Sequence, residues 1–292
     1  MAKGYVIYNP LAGDGTAEED AKLLQVILND ELEYYDMTHI TNYAVFLSGL
    51  EKNDYLIIVG GDGTLNRFVN DTSGMEIPQE ILYLPSGSGN DFAREMDVSG
   101  NPFVITPYLK NLPSVEVKGK TYRFINGIGF GIDGYCCQVG DELKKIPGKK
   151  VNYAGIAIQG LLFHFAARNA KVIVDGKEYI YKKVWIAPTM HGKYYGGGMI
   201  PAPEQDRSSG KLSLMLIHGA GRLRTLCLFP GIFKGRHVRH KNMVALHTGH
   251  EITVEFDRPT PLQIDGETIL DVTKYTVRIS VAGQVSNAAV RQ

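Results

Sequence analysis

The chain has 292 residues, 44% of them hydrophobic and 21% charged, with 31 Lys+Arg against 31 Asp+Glu. That length suits two domains of ordinary size, and the balanced charge excludes a global pull toward nucleic acid or an anionic bilayer. The three cysteines (Cys136, Cys137, Cys227) form no Cys-x-x-Cys, which excludes a disulfide framework and a zinc ribbon.

The N-terminal MAKGYVIYNP lacks the long apolar core of a signal peptide. GYVIYNP (4–10) reads as a buried strand closed by an Asn-Pro turn. Residues 17–30 place Leu23, Leu24, Ile27 and Leu28 at helical spacing behind an acidic first turn. YLIIVG (55–60) is a second buried strand, and Leu65, Phe68 and Val69 start a helix just past Gly63. ILYLP (81–85) is a third strand, followed by SGSGN and a short helix, DFAREM. Strands alternating with helices imply a mostly parallel sheet with helices on its faces.

After about residue 115 the pattern turns to strands: TYRFINGIGF, KVIVDGKEYIYKKVWIAP, KLSLMLIHG, MVALHTGHEITVEFD, PLQIDGETIL and KYTVRISVAG. The pairs Asp175-Gly176, Thr248-Gly249 and Asp265-Gly266 mark hairpin turns between them. One helical insert covers roughly 151–168. Its apolar part, 153–167, is shorter than a membrane span and contains Gln159 and His164. No transmembrane segment is expected, and a reducing cytoplasm fits best.

VGGDGT (59–64) follows a strand and opens a helix. Glycines there let a backbone approach a phosphate, with N–H groups aimed at it. Asp62 in the loop serves a cation or a hydroxyl, or else it caps a helix. LPSGSGNDFAR (84–94) repeats the layout, and YNPLAG (8–13) is a third strand-to-helix turn. In an open α/β sheet such turns share the carboxyl edge, where ligands bind.

VGGDGTLNRFVND, LPSGSGNDFAR, the early NPLAG and the late QIDGE together resemble the catalytic domain of diacylglycerol kinases, of sphingosine and ceramide kinases, and of their soluble bacterial relatives. The motifs run in order from 9 to 267. GGDGT alone is shared with NAD kinases, which lack the GSGNDFAR loop, so NAD kinase is the second reading. A nucleotide-binding module at the membrane surface is the non-enzyme alternative.

The resemblance implies a fold: an N-terminal α/β nucleotide-binding domain (1–115), a C-terminal antiparallel β-sandwich-like domain (116–292) and a cleft between them. The last residues are free to return to the first domain. The resemblance also implies ATP against Asn9, Pro10 and Gly13, against Gly60, Gly61, Asp62, Gly63, Thr64 and Asn66, and against Ser86, Gly87, Ser88, Gly89 and Asn90. Thr38 is the nearest match to a further nucleotide contact. Mg²⁺ bridges the phosphates near Asp62. Glu267 is the expected proton acceptor, with Asp265 orienting it or helping the metal and Asp62 as rival base; Asp91 and Asp133 are expected near the lipid. Asp265 and Glu267, two apart, would project to one side of a strand.

Other features carry less. GFGIDG (129–134) spells a dinucleotide fingerprint, but no helix pattern follows it in the sequence. AGDGT (12–16) is the turn after Asn-Pro. His237, His240, His247 and His250 lack zinc spacing. KKIPGKK (144–150) and FKGRHVRHK (233–241) are solvated loops or a basic patch for the inner membrane face. Relatives bind a structural Mg²⁺ in the β domain; here Ser209 replaces the ligand aspartate and Asp206 lies three residues away, so that site is not expected in the same form. A homodimer is compatible with the sequence.

Overall fold

The computed structural model describes residues 2–146 and 151–280. The expected return of the last residues to the first domain falls in 281–292, outside the described residues.

In the first domain, β1 (Lys3–Tyr8), α1 (Ala17–Ile27), β2 (Glu31–Asp36), α2 (Tyr43–Ser48), β3 (Tyr55–Gly60), α3 (Asp62–Asp71), β4 (Glu80–Pro85), α4 (Asp91–Glu95), β5 (Phe103–Val104) and α5 (Thr106–Leu109) follow in order. The sheet runs β2-β1-β3-β4-β5, parallel except for β5. Strand periodicity assigns the two faces. Leu56 and Ile58 pack with Tyr43, Leu65 and Phe68 under α2 and α3. Ile57 and Val59 pack with Ala21 and Leu24 of α1. β2 escaped the sequence reading because ELEYYD is an edge strand without a fully buried side chain. The parallel arrangement brings the carboxyl ends of β1 to β4, and with them Asn9, Thr38, Gly61 and Ser86, to one edge.

The second domain contains β6 (Ser114–Val117), β7 (Lys120–Arg123), β8 (Gly127–Phe130), α6 (Ile132–Lys144), α7 (Tyr153–Gln159), β9 (Arg168–Val174), β10 (Lys177–Val184), β11 (Thr189–Met190), β12 (Leu212–Ile217), α8 (Arg222–Leu228), β13 (Val244–Gly249), β14 (Glu251–Ile264) and β15 (Glu267–Arg278). Its strands pair antiparallel throughout. Two of the expected hairpins form. Asp175-Gly176 joins β9 to β10 and Asp265-Gly266 joins β14 to β15, each with both residues at positive φ, as a type I′ turn requires. Thr248-Gly249 is not a hairpin: β13 pairs with β12, while β14 pairs with β8, β9 and β15.

α6 corrects the reading of GFGIDG. A helix of 13 residues begins at Ile132, and Asp133 sits in its first turn rather than in a loose bend. Gly134 and Gly140 dilute the helix signal, yet both are contact sites. A Cβ on Gly134 would lie 2.0 Å from the Pro261 carbonyl oxygen, and one on Gly140 would lie 2.7 Å from the Tyr153 ring. The helical insert is α7 extended by a π turn, Gly160–His164. α6 and α7 contribute to the core beside Trp185, Met215 and Ile217.

Candidate active site

The three strand-to-helix turns are fastened to one another. A Cβ on Gly87 would stand 2.5 Å from Gly61 Cα, so the GGDGT and SGSGN loops meet backbone to backbone. Gly13 has φ +61, and a Cβ there would lie 2.3 Å from the Ser86 carbonyl oxygen. Asn9 Nδ2 donates to Thr64 Oγ1 at 3.2 Å. Asn90, itself at φ 48, clasps both the N–H and the C=O of Gly87. Ser86 Oγ donates to Asp20, and Ser88 stands exposed at the loop tip. Pro10 begins the turn after β1, and Thr38 folds back on Asp36 at the end of β2. Among the described residues, the N–H groups of Gly61, Asp62, Gly63 and Thr64 take no protein acceptor at the start of α3. Free donors at a helix N-terminus, bordered by glycine, fit a phosphate chain.

Gly87→Ala collides with backbone that cannot yield, so it is expected to destabilise the first domain by about 1–3 kcal/mol. It should also abolish nucleotide binding. Thermal unfolding and nucleotide titration check both.

Asp62 does not cap its own helix. Its Oδ2 accepts from Asp91 N at 2.8 Å, and its Oδ1 accepts from Phe92 N at 3.0 Å and Asn126 Nδ2 at 2.9 Å. It therefore caps α4 and reaches the second domain. Asp91 lies beside it. Burial and the Asp62 charge push the Asp91 carboxyl up to about 6. Its Oδ2 accepts from Gly197 N at 2.8 Å, and its buried Oδ1 has no protein partner. A Cβ on Gly89 would lie 3.5 Å from Asp62 Oδ2 and 3.9 Å from Asp91 Oδ2, so both carboxylates border the same glycine. Two crowded carboxylates with an unpartnered oxygen are a donor set that a hard divalent cation fits.

The two acids of QIDGE part company. Asp265 Oδ2 accepts from Ile125 N at 2.5 Å and Asn66 Nδ2 at 2.8 Å; its Oδ1 accepts from Asn126 N and Gly127 N, each at 2.9 Å. It is the joint between α3 and the start of β8. Burial pushes its carboxyl up against the opposing pull of these donors. With every strong acceptor direction engaged, Asp265 is not available to a metal. Glu267 is exposed, and its Oε1 lies 4.0 Å from where a Gly63 Cβ would be. The expected same-side projection fails because Asp265 is left-handed, at φ 45, and turns out of the strand alternation.

Asn66, assigned by resemblance to the nucleotide, has its amide engaged by Asp265 and the Arg123 carbonyl instead. Asp133 is buried, with Tyr195 Oη donating to its Oδ2 at 3.2 Å and its Oδ1 unpartnered. Gln263, which lies near Asp133 at Gly129, accepts from Gly266 N at 2.7 Å in the hairpin that carries Glu267. Asp206 is the N-cap of a short 3-10 turn, held by the Ser208 N–H and hydroxyl, and the Ser209 hydroxyl donates to the Asp206 carbonyl. No group of three or more His, Cys, Asp or Glu side chains gathers for a metal among the described residues. Of KKIPGKK, residues 147–150 lie outside the described residues. FKGRHVRHK runs through 3-10 turns at Phe229–Lys234 and His237–Arg239.

Desolvation raises the Asp133 carboxyl from the usual 3.8 to about 7. Below the lower value the group is protonated whether the chain is folded or unfolded, and the stability linked to it is fully present. As pH rises toward the upper value, only the unfolded chain ionises, so that stability is lost. Asp133→Asn is therefore expected to be more stable than the parent chain above pH 7, with the difference vanishing below pH 4. Denaturant midpoints at both ends of that window check it.

Sequence reasoning missed Asn126, Arg207, Glu95 and His191, which join the two domains beside Asp62. Their types are unremarkable in the sequence, and only the fold brings them together.

The fold and these loops define a two-domain kinase, an α/β domain and an antiparallel β domain meeting at glycine-rich turns. Residues 3–113 match the family described as the diacylglycerol kinase catalytic domain, and residues 126–286 match the YegS C-terminal NAD kinase beta sandwich-like domain. The chain belongs to this diacylglycerol kinase catalytic-domain family. It is 27% identical over 258 residues to "Diacylglycerol kinase" of Mycobacterium tuberculosis, covering 82% of this chain and 80% of that one. It is 23% identical to "Putative lipid kinase YtlR" of Bacillus subtilis, covering 96% and 97%. A crystal structure of a "putative diacylglycerol kinase" from Bacillus anthracis superposes with a TM-score of 0.67 at 20% identity, covering 95% and 92%.

Proposed function

We propose that the protein is an ATP- and Mg²⁺-dependent lipid kinase that phosphorylates the hydroxyl of a diacylglycerol-like lipid to give a phosphatidate-like product. The observation that carries this reading is the Glu267 carboxylate facing the open N-terminus of α3, where Gly61 to Thr64 offer free N–H groups. The glycine turns hold the phosphate chain of ATP through backbone donors. Glu267 takes the proton of the lipid hydroxyl as its oxygen bonds to the terminal phosphorus and the bond to the departing ADP breaks. Mg²⁺, when bound, neutralises charge on the phosphates; Asp62 and Asp91 would hold it from the protein side. Asp133, buried near Gln263, would shape the lipid end of the site from beneath the same hairpin.

No helix among the described residues is long and apolar enough to cross a membrane. A bilayer substrate therefore calls for peripheral attachment, for which the basic run at 233–241 supplies charge. The test is incubation with γ-labelled ATP, Mg²⁺ and either diacylglycerol in mixed micelles or NAD. Label on the lipid supports the reading, and label on NAD replaces it with an NAD kinase. Tight ATP binding with neither acceptor labelled leaves a nucleotide-binding module.

A further inference from the structure

A buried cation sits between the domains beside the candidate site, and no role assigned above uses it. Arg207, at the start of the 3-10 turn Arg207–Ser209, has a side chain only 7% exposed, and its partner Glu95 on α4 is 11% exposed. Arg207 Nη2 donates to Glu95 Oε2 at 2.7 Å and to Asn126 Oδ1 at 3.2 Å. Its Nη1 donates to the Ile125 carbonyl at 2.6 Å and lies 3.2 Å from His191 Nδ1. The guanidinium covers the Phe92 ring at 4.8 Å. Glu95 Oε2 also accepts from Lys193 N at 3.1 Å. The packing leaves no slack, since a Cβ on Gly192 would fall 2.4 Å from Arg207 Nη2 and 2.6 Å from Glu95 Oε2.

Two of these partners lead to Asp62 and a third to Asp265. Asn126, whose carbonyl oxygen Arg207 holds, donates its Nδ2 to Asp62 Oδ1. Phe92, under the guanidinium, donates its N–H to the same oxygen. Ile125, whose carbonyl Arg207 holds, donates its N–H to Asp265. One planar fork thus fixes the amide of Asn126, the helix that Asp62 caps and the strand that Asp265 anchors. A guanidinium has the geometry for several such bonds at once, and an ammonium does not.

We propose that Arg207 is a positioning residue of this kinase: acting through Asn126 and α4, it sets the orientation of Asp62 and the approach of the two domains around the glycine loops. The proposal rests on the phosphotransfer reading above. It is distinct from simple charge balance. If Arg207 only neutralised Glu95, removing both charges together would restore everything. If it positions, removing both restores stability and leaves turnover impaired.

The experiment compares the parent chain with Arg207→Met, Arg207→Lys and the double variant Arg207→Met/Glu95→Gln. Thermal unfolding, kcat and both KM values are measured with ATP, Mg²⁺ and short-chain diacylglycerol. Arg207→Met leaves a nearly buried Glu95 unpaired and should unfold at lower temperature. The double variant is expected to recover the parent melting temperature while its kcat stays down by about 10²-fold, the scale of a small misplacement at a reacting centre. KM for ATP should change little, because the glycine loops are intact. Arg207→Lys should restore charge but only part of the turnover. A double variant with parent kcat overturns the proposal, as does an Arg207→Lys chain with full turnover. A parent chain that labels no lipid fails the underlying reading instead, and that result is visible before any variant is made.

Discussion

Replacing Glu267 by Gln is expected to lower turnover by about 10²–10⁴-fold, the usual range for loss of a general base. Affinity for ATP and the melting temperature should hardly move. Glu267 is exposed, and its side chain takes part in no hydrogen bond or ion pair among the described residues, so folding does not depend on its charge. Its distinguishing feature is position. The carboxylate lies against the N-terminus of α3, close enough to serve a hydroxyl delivered to a phosphate held there. Its rivals for the proton are otherwise engaged: three N–H donors converge on Asp62 and four on Asp265. Steady-state kinetics on a soluble short-chain acceptor decide the matter. A loss of less than about tenfold would move the base to another group.

Asp265→Ala should have the opposite signature, a large loss of stability. The substitution removes the acceptor for three successive backbone N–H groups, of Ile125, Asn126 and Gly127, and leaves the Asn66 amide with the Arg123 carbonyl alone. Each buried N–H left without its acceptor costs about 1–3 kcal/mol. Thermal or urea unfolding reads the loss directly. Asp265→Asn keeps one acceptor oxygen and should fall between. If the Ala variant melts with the parent chain, the carboxylate is not the joint that the geometry makes it.

The contrast between these two acids shows how far the sequence carries. QIDGE reads as a hairpin turn with two neighbouring acids, and the turn is there. The opposite fates of the acids depend on the left-handed backbone at Asp265, which turns its carboxylate onto residues 125–127, over a hundred positions earlier in the chain. No local pattern encodes such a partner.

The glycine turns were legible because a strand, a run of glycines and a helix lie next to each other along the chain. That Gly61 and Gly87 touch was not, since contact between two loops is a product of sheet order. β2 was missed because an edge strand buries little. α6 was missed because its glycines, which weaken the helix signal, are there to admit Pro261 and Tyr153. Asp62 was legible as important but not as the cap of α4, because that role depends on where residues 91 and 92 arrive.

The central claim is that these turns and Glu267 transfer phosphate from ATP to a lipid hydroxyl. One reaction tests it most directly. The protein is incubated with γ-labelled ATP and Mg²⁺ in the presence of equal amounts of short-chain diacylglycerol, a sphingoid base and NAD, and the labelled products are identified by mass. The account predicts a single labelled product, the phosphorylated diacylglycerol, and predicts that it all but disappears with Glu267→Gln. Label on NAD, or labelled lipid formed equally well by the Gln variant, would contradict it.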